Sequence, residues 1–514
     1  MPQPSHPVRI EEIDWRTVFP FINLFKTFRM AIGPAKLLLA LVLVAALFFY
    51  GCLLDFILKS QAEPGEAQYF ATHNINQFDH WREHRPQQVE QLQAEWIAVS
   101  LPNNLQGHED PIEAINQYFH NEYTHLARNG SAADNKRLHQ LRIRHRQKLA
   151  QIQALNRVGA FSAASNFGRE AFSRLVHAAI SFNFGLQDLA TRNPVDTNTV
   201  TSALRDILCT LPSWLYHSHR LFFILWISGS LLLWALFGGA ICRLAAMHGG
   251  RDKRLDVAAA LRFSQRKFPW LVIAPFLPLF MAILIGLCQA LFGLIMFNVP
   301  VLDLFGGLLF GLVLIAGFII TLMILGLIGS ANLLYPALAV EGTDAFDVIA
   351  RTFNYVFFRP WRFLFYNLVS LVYGAITYCF VAMVAWMTLA VTQRGVGLGV
   401  FTSAKSTAHG RFAAMMPPLE PGQLISAVDW SLMDGTAKVA AILITAWTCI
   451  TFALVAAFIV SFFFCANTWI YFLLRHVSDG TSFDDIDIDQ PAETNEGDAP
   501  QDNTASPESS GITS

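Results

Sequence analysis

The chain has 514 residues, of which 54% are hydrophobic and 14% are charged, and its formal net charge is −2. Soluble domains carry about 25% charged residues, so this composition argues against an ordinary soluble protein. The near-neutral charge gives no reason to expect a nucleic acid as a partner. The seven cysteines show no CxxC or Cys/His spacing, so we expect neither a disulfide framework nor a bound metal.

Six segments of the chain are long and apolar enough to cross a bilayer. A helix that crosses the hydrocarbon needs about 20 mainly apolar residues. Lipid offers no hydrogen bonds to an unpaired backbone, so these segments are predicted to be helices. They cover residues 37–57, 221–246, 271–297, 304–328, 363–391 and 439–474. The predicted fold class is therefore all-α, a polytopic membrane protein with six transmembrane helices.

The positions of Lys and Arg in the short connections predict the orientation, because cytoplasmic loops are enriched in these residues. The N-terminal segment and the connections before the third and fifth segments are basic, whereas the turn at 298–303 has no basic residue. With six crossings every basic connection falls on one side. Both termini are therefore predicted to be cytoplasmic, in a bacterial inner membrane.

This topology divides the chain into five units. They are a cytoplasmic segment with an interfacial helix (1–36), the first transmembrane helix (37–58), an extracytoplasmic helical domain (59–220), the rest of the transmembrane bundle with an outer loop at 392–438 (221–477), and an acidic cytoplasmic tail (478–514). The tail is predicted to be disordered because it has little apolar surface to bury.

A short pattern recurs before the third and fifth segments. An Asp-Val pair precedes a Pro-Trp pair at the same spacing in both copies, and a looser copy at 24–29 precedes the first segment. We interpret each copy as a helix at the inner interface with its Lys and Arg toward the headgroups, followed by a Pro-Trp turn into the membrane. The six spans would then form three hairpin-like repeats. The motif residues are Asp256, Pro269, Trp270, Asp347, Arg351, Arg359, Pro360 and Trp361.

The stretch from Tyr335 to Arg362 reads YPALAVEGTDAFDVIARTFNYVFFRPWR. It resembles a signature of uncharacterised bacterial membrane proteins of planctomycete type. It is also similar in pattern to the membrane domain attached to some glycerophosphodiester phosphodiesterases. The resemblance covers roughly the second to the sixth segment and implies a membrane module. The catalytic barrel of those phosphodiesterases has no candidate in this chain, so the resemblance implies no active site.

Ionisable residues are scarce in the apolar segments, which weighs against a proton-coupled carrier. Asn332 and Asn467 lie toward the inner ends of the fourth and sixth segments, where helix packing or a substrate site would account for them. Asp55 is expected to form a surface pair with Lys59. Pro275 is expected, together with Pro278, to kink the third segment.

The remaining features of the sequence are interpreted as helix contacts or as solvent-exposed helix faces. Gly307 and Gly311 form a GxxxG pair, which suits close helix contact and leaves homo-oligomer formation open. In the extracytoplasmic domain, residues 134–158 form the clearest predicted helix. His80 and His84 share a helix face with Glu83, but the order of these residues is not that of a HExxH zinc site.

We find no phosphate loop, dinucleotide fingerprint or GxSxG nucleophile. We therefore expect no enzymatic activity, catalytic residue, cofactor or metal. The favoured hypothesis is a non-enzymatic membrane scaffold that interacts with the lipid bilayer and binds a protein partner through the extracytoplasmic domain. The alternative is a transporter or lipid-handling protein. A membrane enzyme that uses the outer His and Glu residues is a third hypothesis.

Overall fold

The computed structural model describes residues 20–100, 111–127, 154–185, 198–298, 302–399 and 435–486, together with residue 416 and part of 137–152. Six of the described helices are long and apolar enough to cross a membrane. They are span 1 (Pro34–Leu58), span 2 (Arg220–Arg251), span 3 (Leu277–Met296), span 4 (Leu302–Ser330), span 5 (Pro360–Gly399) and span 6 (Gly435–Asp479). The prediction of an all-helical chain with six such helices is confirmed.

The third predicted segment is not one continuous helix. A short helix, Phe268–Ile273, is followed by a turn at 274–276 before span 3 begins. Pro275 lies in this turn and Pro278 lies in the first turn of span 3. Proline lacks an N–H donor and its ring displaces the carbonyl four residues earlier, so the two prolines interrupt the helix where we expected a kink. The prediction of a single span over 271–297 is therefore wrong at its start.

Short helices precede span 1 or connect later spans at one end of the bundle. They are a 3₁₀ helix, Pro20–Lys26, and the α-helices Thr27–Ala31, Val257–Arg266, Phe268–Ile273, Leu334–Glu341 and Ala345–Phe358. The two repeat copies differ in detail. Asp256 immediately precedes its helix, whereas Asp347 is the third residue of a helix that Asp344 caps by accepting a hydrogen bond from the Asp347 N–H. Pro269 and Pro360 both lie in the first turn of the next helix.

This end of the bundle, which we call the packed end, contains most of the buried residues of the spans. Every residue is buried over 238–247 of span 2 and over 464–475 of span 6. Gly238 permits the two helices to approach, since a Cβ there would lie 2.5 Å from the Phe464 ring. Helix Leu334–Glu341 and the first half of span 1 complete the core.

Spans 3 and 4 form a separate hairpin. They pack along each other, and helix Ala345–Phe358 packs against span 4. Close to this helix, a Cβ at Gly326 would lie 2.7 Å from the Phe353 ring. Farther along the hairpin the large side chains are exposed, as at Leu287 and Leu308. These side chains face the position that lipid would occupy.

The segment between spans 1 and 2 forms a helical domain, and the end of the bundle that carries it is called the domain end. Its helices are Glu66–Thr72, Ile75–Ser100, Pro111–Ala127, Ala160–Ile180, Val200–Arg205 and Leu211–Ser218, with a π-helical turn at Asp206–Thr210. Two short strands, Gln61–Ala62 and Val158–Gly159, pair antiparallel, with Gln61 opposite Gly159. The predicted helix at 134–158 lies largely outside the described residues, as does the outer loop at 392–438 beyond residue 399.

Asp55 joins this domain to span 1. Its carboxylate accepts hydrogen bonds from the backbone N–H groups of Phe161, at 2.8 Å, and Ser162, at 3.2 Å. These are orphan donors of the first turn of helix Ala160–Ile180, which a carboxylate satisfies well. The expected pair between Asp55 and Lys59 is therefore wrong, because Asp55 caps a helix of the domain between spans 1 and 2.

Candidate functional site

Three asparagines connect spans 5 and 6 to the turn after span 4. The side-chain amide of Asn332 donates to the Oδ1 atoms of Asn367, at 2.8 Å, and Asn467, at 2.9 Å. The other two amides donate to backbone carbonyls one turn earlier in their own helices. Asn332 and Asn467 are thus brought together, and Asn367 is a member that the sequence analysis missed. The donor capacity of Asn332 is used between helices, which fixes the position of this turn.

Glu341 forms the centre of a charged network at the packed end. Its side chain is 8% exposed and lies 3.0 Å from Arg475 Nε and 3.3 Å from Arg351 Nη1. The hydroxyl of Tyr471 donates to Glu341 Oε1 at 2.6 Å. One carboxylate therefore holds span 6 and two short helices in a fixed arrangement. Removing it would leave Arg475, which is 7% exposed, with only the exposed Asp485 as a counter-charge.

The start of the C-terminal tail packs onto this network. Arg475 Nη2 lies 2.9 Å from Asp485 Oδ2, and the Phe483 ring packs at 6.0 Å from the Trp469 ring. The hydroxyl of Tyr355 donates to Asp479, and burial together with this carboxylate raises the pKa of Tyr355. The tail predicted as disordered from residue 478 is thus packed as far as Ile486, and residues 487–514 lie outside the described part.

Two basic residues near the first repeat copy hold backbone carbonyls. Arg243 Nη1 donates to the Ala339 carbonyl at 2.7 Å, and its guanidinium lies 4.3 Å from the centre of the Phe263 ring. Lys267 Nζ donates to the Gly342 carbonyl. We interpreted the basic residues of the repeat copies as facing headgroups, and that interpretation is wrong for Lys267. Lys267 and Arg243, which precedes the repeat copy, both bind the C-terminal end of helix Leu334–Glu341.

Of the predicted motif residues, Arg351 joins the charged network, where it also pairs with Asp347 at 3.1 Å. The others lie at the surface. Trp361 is 82% exposed and Trp270 is 36% exposed. Arg359, Pro360 and Pro269 are exposed too, as is Asp256. The motif therefore combines the Arg351–Asp347 pair with a group of exposed side chains.

A second polar cluster lies at the domain end, between the end of span 1 and the start of span 2. Ser60 Oγ is 2.8 Å from His219 Nδ1, and His219 Nε2 is 3.8 Å from Glu66 Oε1, too far for a hydrogen bond. Burial lowers the pKa of His219, and the nearby Glu66 carboxylate opposes this shift. Arg82 Nε lies 3.5 Å from Glu66. A hydroxyl, an imidazole and a carboxylate in this order are the groups that activated-serine enzymes use.

The exposed His80, Glu83 and His84 side chains place one ligand atom each within 4.8 Å of one another. They lie on consecutive turns of one helix. All three are open to solvent, and such surface groups are common without an ion. The sequence also has a looser group at His120, Glu122 and His125, whose two histidine side chains lie outside the described part of the structure.

Comparison with protein-family models, with curated proteins and with solved structures finds no match for this chain. The resemblance of residues 335–362 to bacterial membrane modules remains a prediction.

The residues that sequence reasoning missed are single polar residues without a motif. Glu341 and Arg475 were not singled out, nor were Ser60, Glu66 and His219. Their partners are distant in sequence, so no local pattern indicates them. A usable signal was the position of Glu341 and Arg475 at the edge of apolar segments, where an ionisable group needs a partner.

Proposed function

We propose that this chain is a non-enzymatic scaffold of the bacterial inner membrane. The observation that carries the proposal is the pairing of Glu341 with Arg475 and Arg351. Transporters place ionisable groups along a substrate or ion pathway. Here Glu341 pairs with Arg475 and Arg351 and holds short helices to span 6. Such an arrangement favours a fixed platform over a moving one.

The three-hairpin architecture belongs to this proposal. Spans 1 and 2 pack on each other, as do spans 3 and 4 and spans 5 and 6. Short helices precede the first span of each pair, at Thr27–Ala31, Val257–Arg266 and Ala345–Phe358. The packed end carries the basic connections, which favours a cytoplasmic position for it and for both termini. The domain between spans 1 and 2 would then be extracytoplasmic and available to a protein partner.

Crosslinking in cells combined with a flux assay tests the scaffold. A photo-crosslinking residue at exposed Arg169 of the outer domain should give a discrete protein adduct, whereas the same residue at lipid-facing Leu308 should not. The purified protein in liposomes should move lipid and small solutes no faster than protein-free liposomes. A flux that falls in the Asn332→Ala variant would establish the transport alternative instead.

A serine-dependent membrane hydrolase is the second candidate, and the 2.8 Å contact between Ser60 and His219 favours it. Hydrogen bonding to an imidazole activates a serine hydroxyl when a third group orients the ring. A fluorophosphonate probe should then label the wild-type protein and not the Ser60→Ala variant. Absence of labelling in the wild type would leave the cluster with a structural role, joining the ends of spans 1 and 2.

A further inference from the structure

A cavity of about 450 Å³ opens at the packed end, between the start of span 1 and the end of span 2. This volume is in the range of small-molecule sites. Its apolar lining includes Phe28, Ile32 and Leu244. Its polar lining is basic: Arg29, Lys36, His248, Lys253 and Arg254. The cavity thus combines an apolar wall with a concentration of positive charge.

The innermost cation of this cavity is Lys36, whose side chain is almost fully enclosed. The residue is 4% exposed, and its Nζ lies 3.3 Å from the Met30 carbonyl and 3.0 Å from His248 Nδ1. Both partners are uncharged when the imidazole is neutral. A buried cation is costly unless an anion compensates it. The described contacts of Lys36 therefore leave its charge without a counter-ion.

The other cations of the cavity lie at its mouth and are exposed to solvent. They are Arg29, Lys253 and Arg254. None of them forms an ion pair with a carboxylate among the residues that the structure describes. The residues that line the cavity include no Asp or Glu. Positive charge exceeds negative charge around the cavity.

We propose that this cavity binds the phosphate group of an anionic phospholipid, with the headgroup among the cations and the chains along the apolar wall. Lys36 would contact the phosphate from inside, and Arg29, Lys253 and Arg254 would close over it. Backbone N–H groups in the first turn of span 1, at the cavity wall, favour an anion in addition. Basic pockets between transmembrane helices at the interface are suited to anionic headgroups. This inference does not depend on the scaffold proposal.

Native mass spectrometry of the full-length protein, titrated with phosphatidylglycerol or phosphatidylcholine, tests the site. The test variant carries Arg29→Gln, Lys253→Gln and Arg254→Gln, all at exposed positions, so that the buried Lys36 is preserved. A matched control carries Arg262→Gln, Arg359→Gln and Arg362→Gln, which remove the same charge from exposed positions outside the cavity. Phosphatidylglycerol should bind the wild type and the control with equal affinity, and the test variant about tenfold or more weakly.

Three outcomes of this titration decide between the proposed lipid site and its alternatives. Equal weakening in both triple variants would overturn the site, because the binding would then follow overall surface charge. Equal affinity for the two lipids would also overturn it. Binding of inorganic phosphate by a wild type that binds no phosphatidylglycerol would support the anion site and reject the lipid as its source.

Discussion

Spans 2 and 6 differ from spans 3 and 4 in packing although all four are similarly apolar. The mean hydropathy of their most apolar windows is 2.1 and 2.5 for the first pair and 2.4 and 2.9 for the second. The buried share of those windows is 17% and 39% against 6% and 0%. Apolar side chains gain little from leaving lipid for protein, so hydropathy decides whether a helix crosses and not whether it packs. Packing follows from small residues and from polar groups that pair.

Gly238 and Asn467 illustrate these two features in spans 2 and 6. Gly238 admits the Phe464 ring to within contact of the span 2 backbone, and Asn467 accepts a hydrogen bond from Asn332. In the span 3–4 hairpin, Gln289 Nε2 donates to the Val313 carbonyl, which holds the two hairpin helices to each other. We infer that the packed end determines stability, whereas the hairpin can be altered with little effect on it.

The largest effect is expected for Glu341→Gln. Loss of the carboxylate leaves Arg475 buried without its main counter-charge, and breaking a buried pair costs about 3–5 kcal/mol of unfolding free energy. Asp347→Asn is the matched control, because Asp347 forms an exposed pair with the same Arg351, worth about 1 kcal/mol or less. Thermal unfolding in nanodiscs measures both. Equal shifts in midpoint would contradict the special role of the packed end.

Glycines in span 4 give the next effect and compare the two ends of one helix. Gly326→Leu must displace Phe353, and overpacking of this kind costs about 1–3 kcal/mol. A Cβ at Gly311 meets no described atom within 4 Å, nor does one at Gly307, so Gly311→Leu should leave the unfolding midpoint unchanged.

The oligomeric state of the same two variants sharpens the comparison. Mass photometry should give one mass for the wild type and Gly326→Leu if the protein folds in both. A smaller complex in Gly311→Leu would show that the GxxxG face forms a contact between copies. An unstable Gly311→Leu monomer would show that the hairpin is packed more tightly than its open surface indicates.

The asparagine triad is expected to contribute less. Hydrogen bonds between membrane helices couple by about 0.6 kcal/mol on average and by about 1.7 kcal/mol at most. A double-mutant cycle of Asn332→Ala and Asn467→Ala should give a coupling within this range. Thr321→Ala paired with Asn467→Ala is the control, since Thr321 donates within its own helix, to the Gly317 carbonyl at 2.9 Å. Zero coupling in the asparagine cycle would show that the triad does not fix the turn.

The sequence predicted the number and places of the spans because hydropathy is a local property of 20 or so residues. It predicted the break in span 3 only as a kink, since Pro275 and Pro278 mark a disturbance and the surrounding packing decides its size. It could not predict the pairing of Glu341 with Arg475, because many polar partners compete and only the fold selects one. Asp55 shows the same limit, since its nearest cation in sequence was not its partner.

The smallest expected effect is a loss of stability at the domain end in acid. Burial lowers the pKa of His219, with Arg82 adding to this shift and Glu66 and Asp55 opposing it. The unfolded chain therefore binds the proton more readily than the folded chain. The stability of this region should be constant above the unfolded pKa, about 6.5, and should fall as the pH drops through the lowered value.

Hydrogen exchange reports this loss at the Ala160 N–H, which donates to the Ser60 carbonyl at 2.9 Å. Between pH 8 and pH 5, after correction for the intrinsic exchange rate, its protection should decrease in the wild type. It should decrease less in His219→Gln, which has no proton to bind. His80→Gln, on an exposed helix face, should behave as the wild type. If His219→Gln loses protection as strongly as the wild type, another group senses acid, and the domain end is stabilised independently of the Ser60–His219 contact.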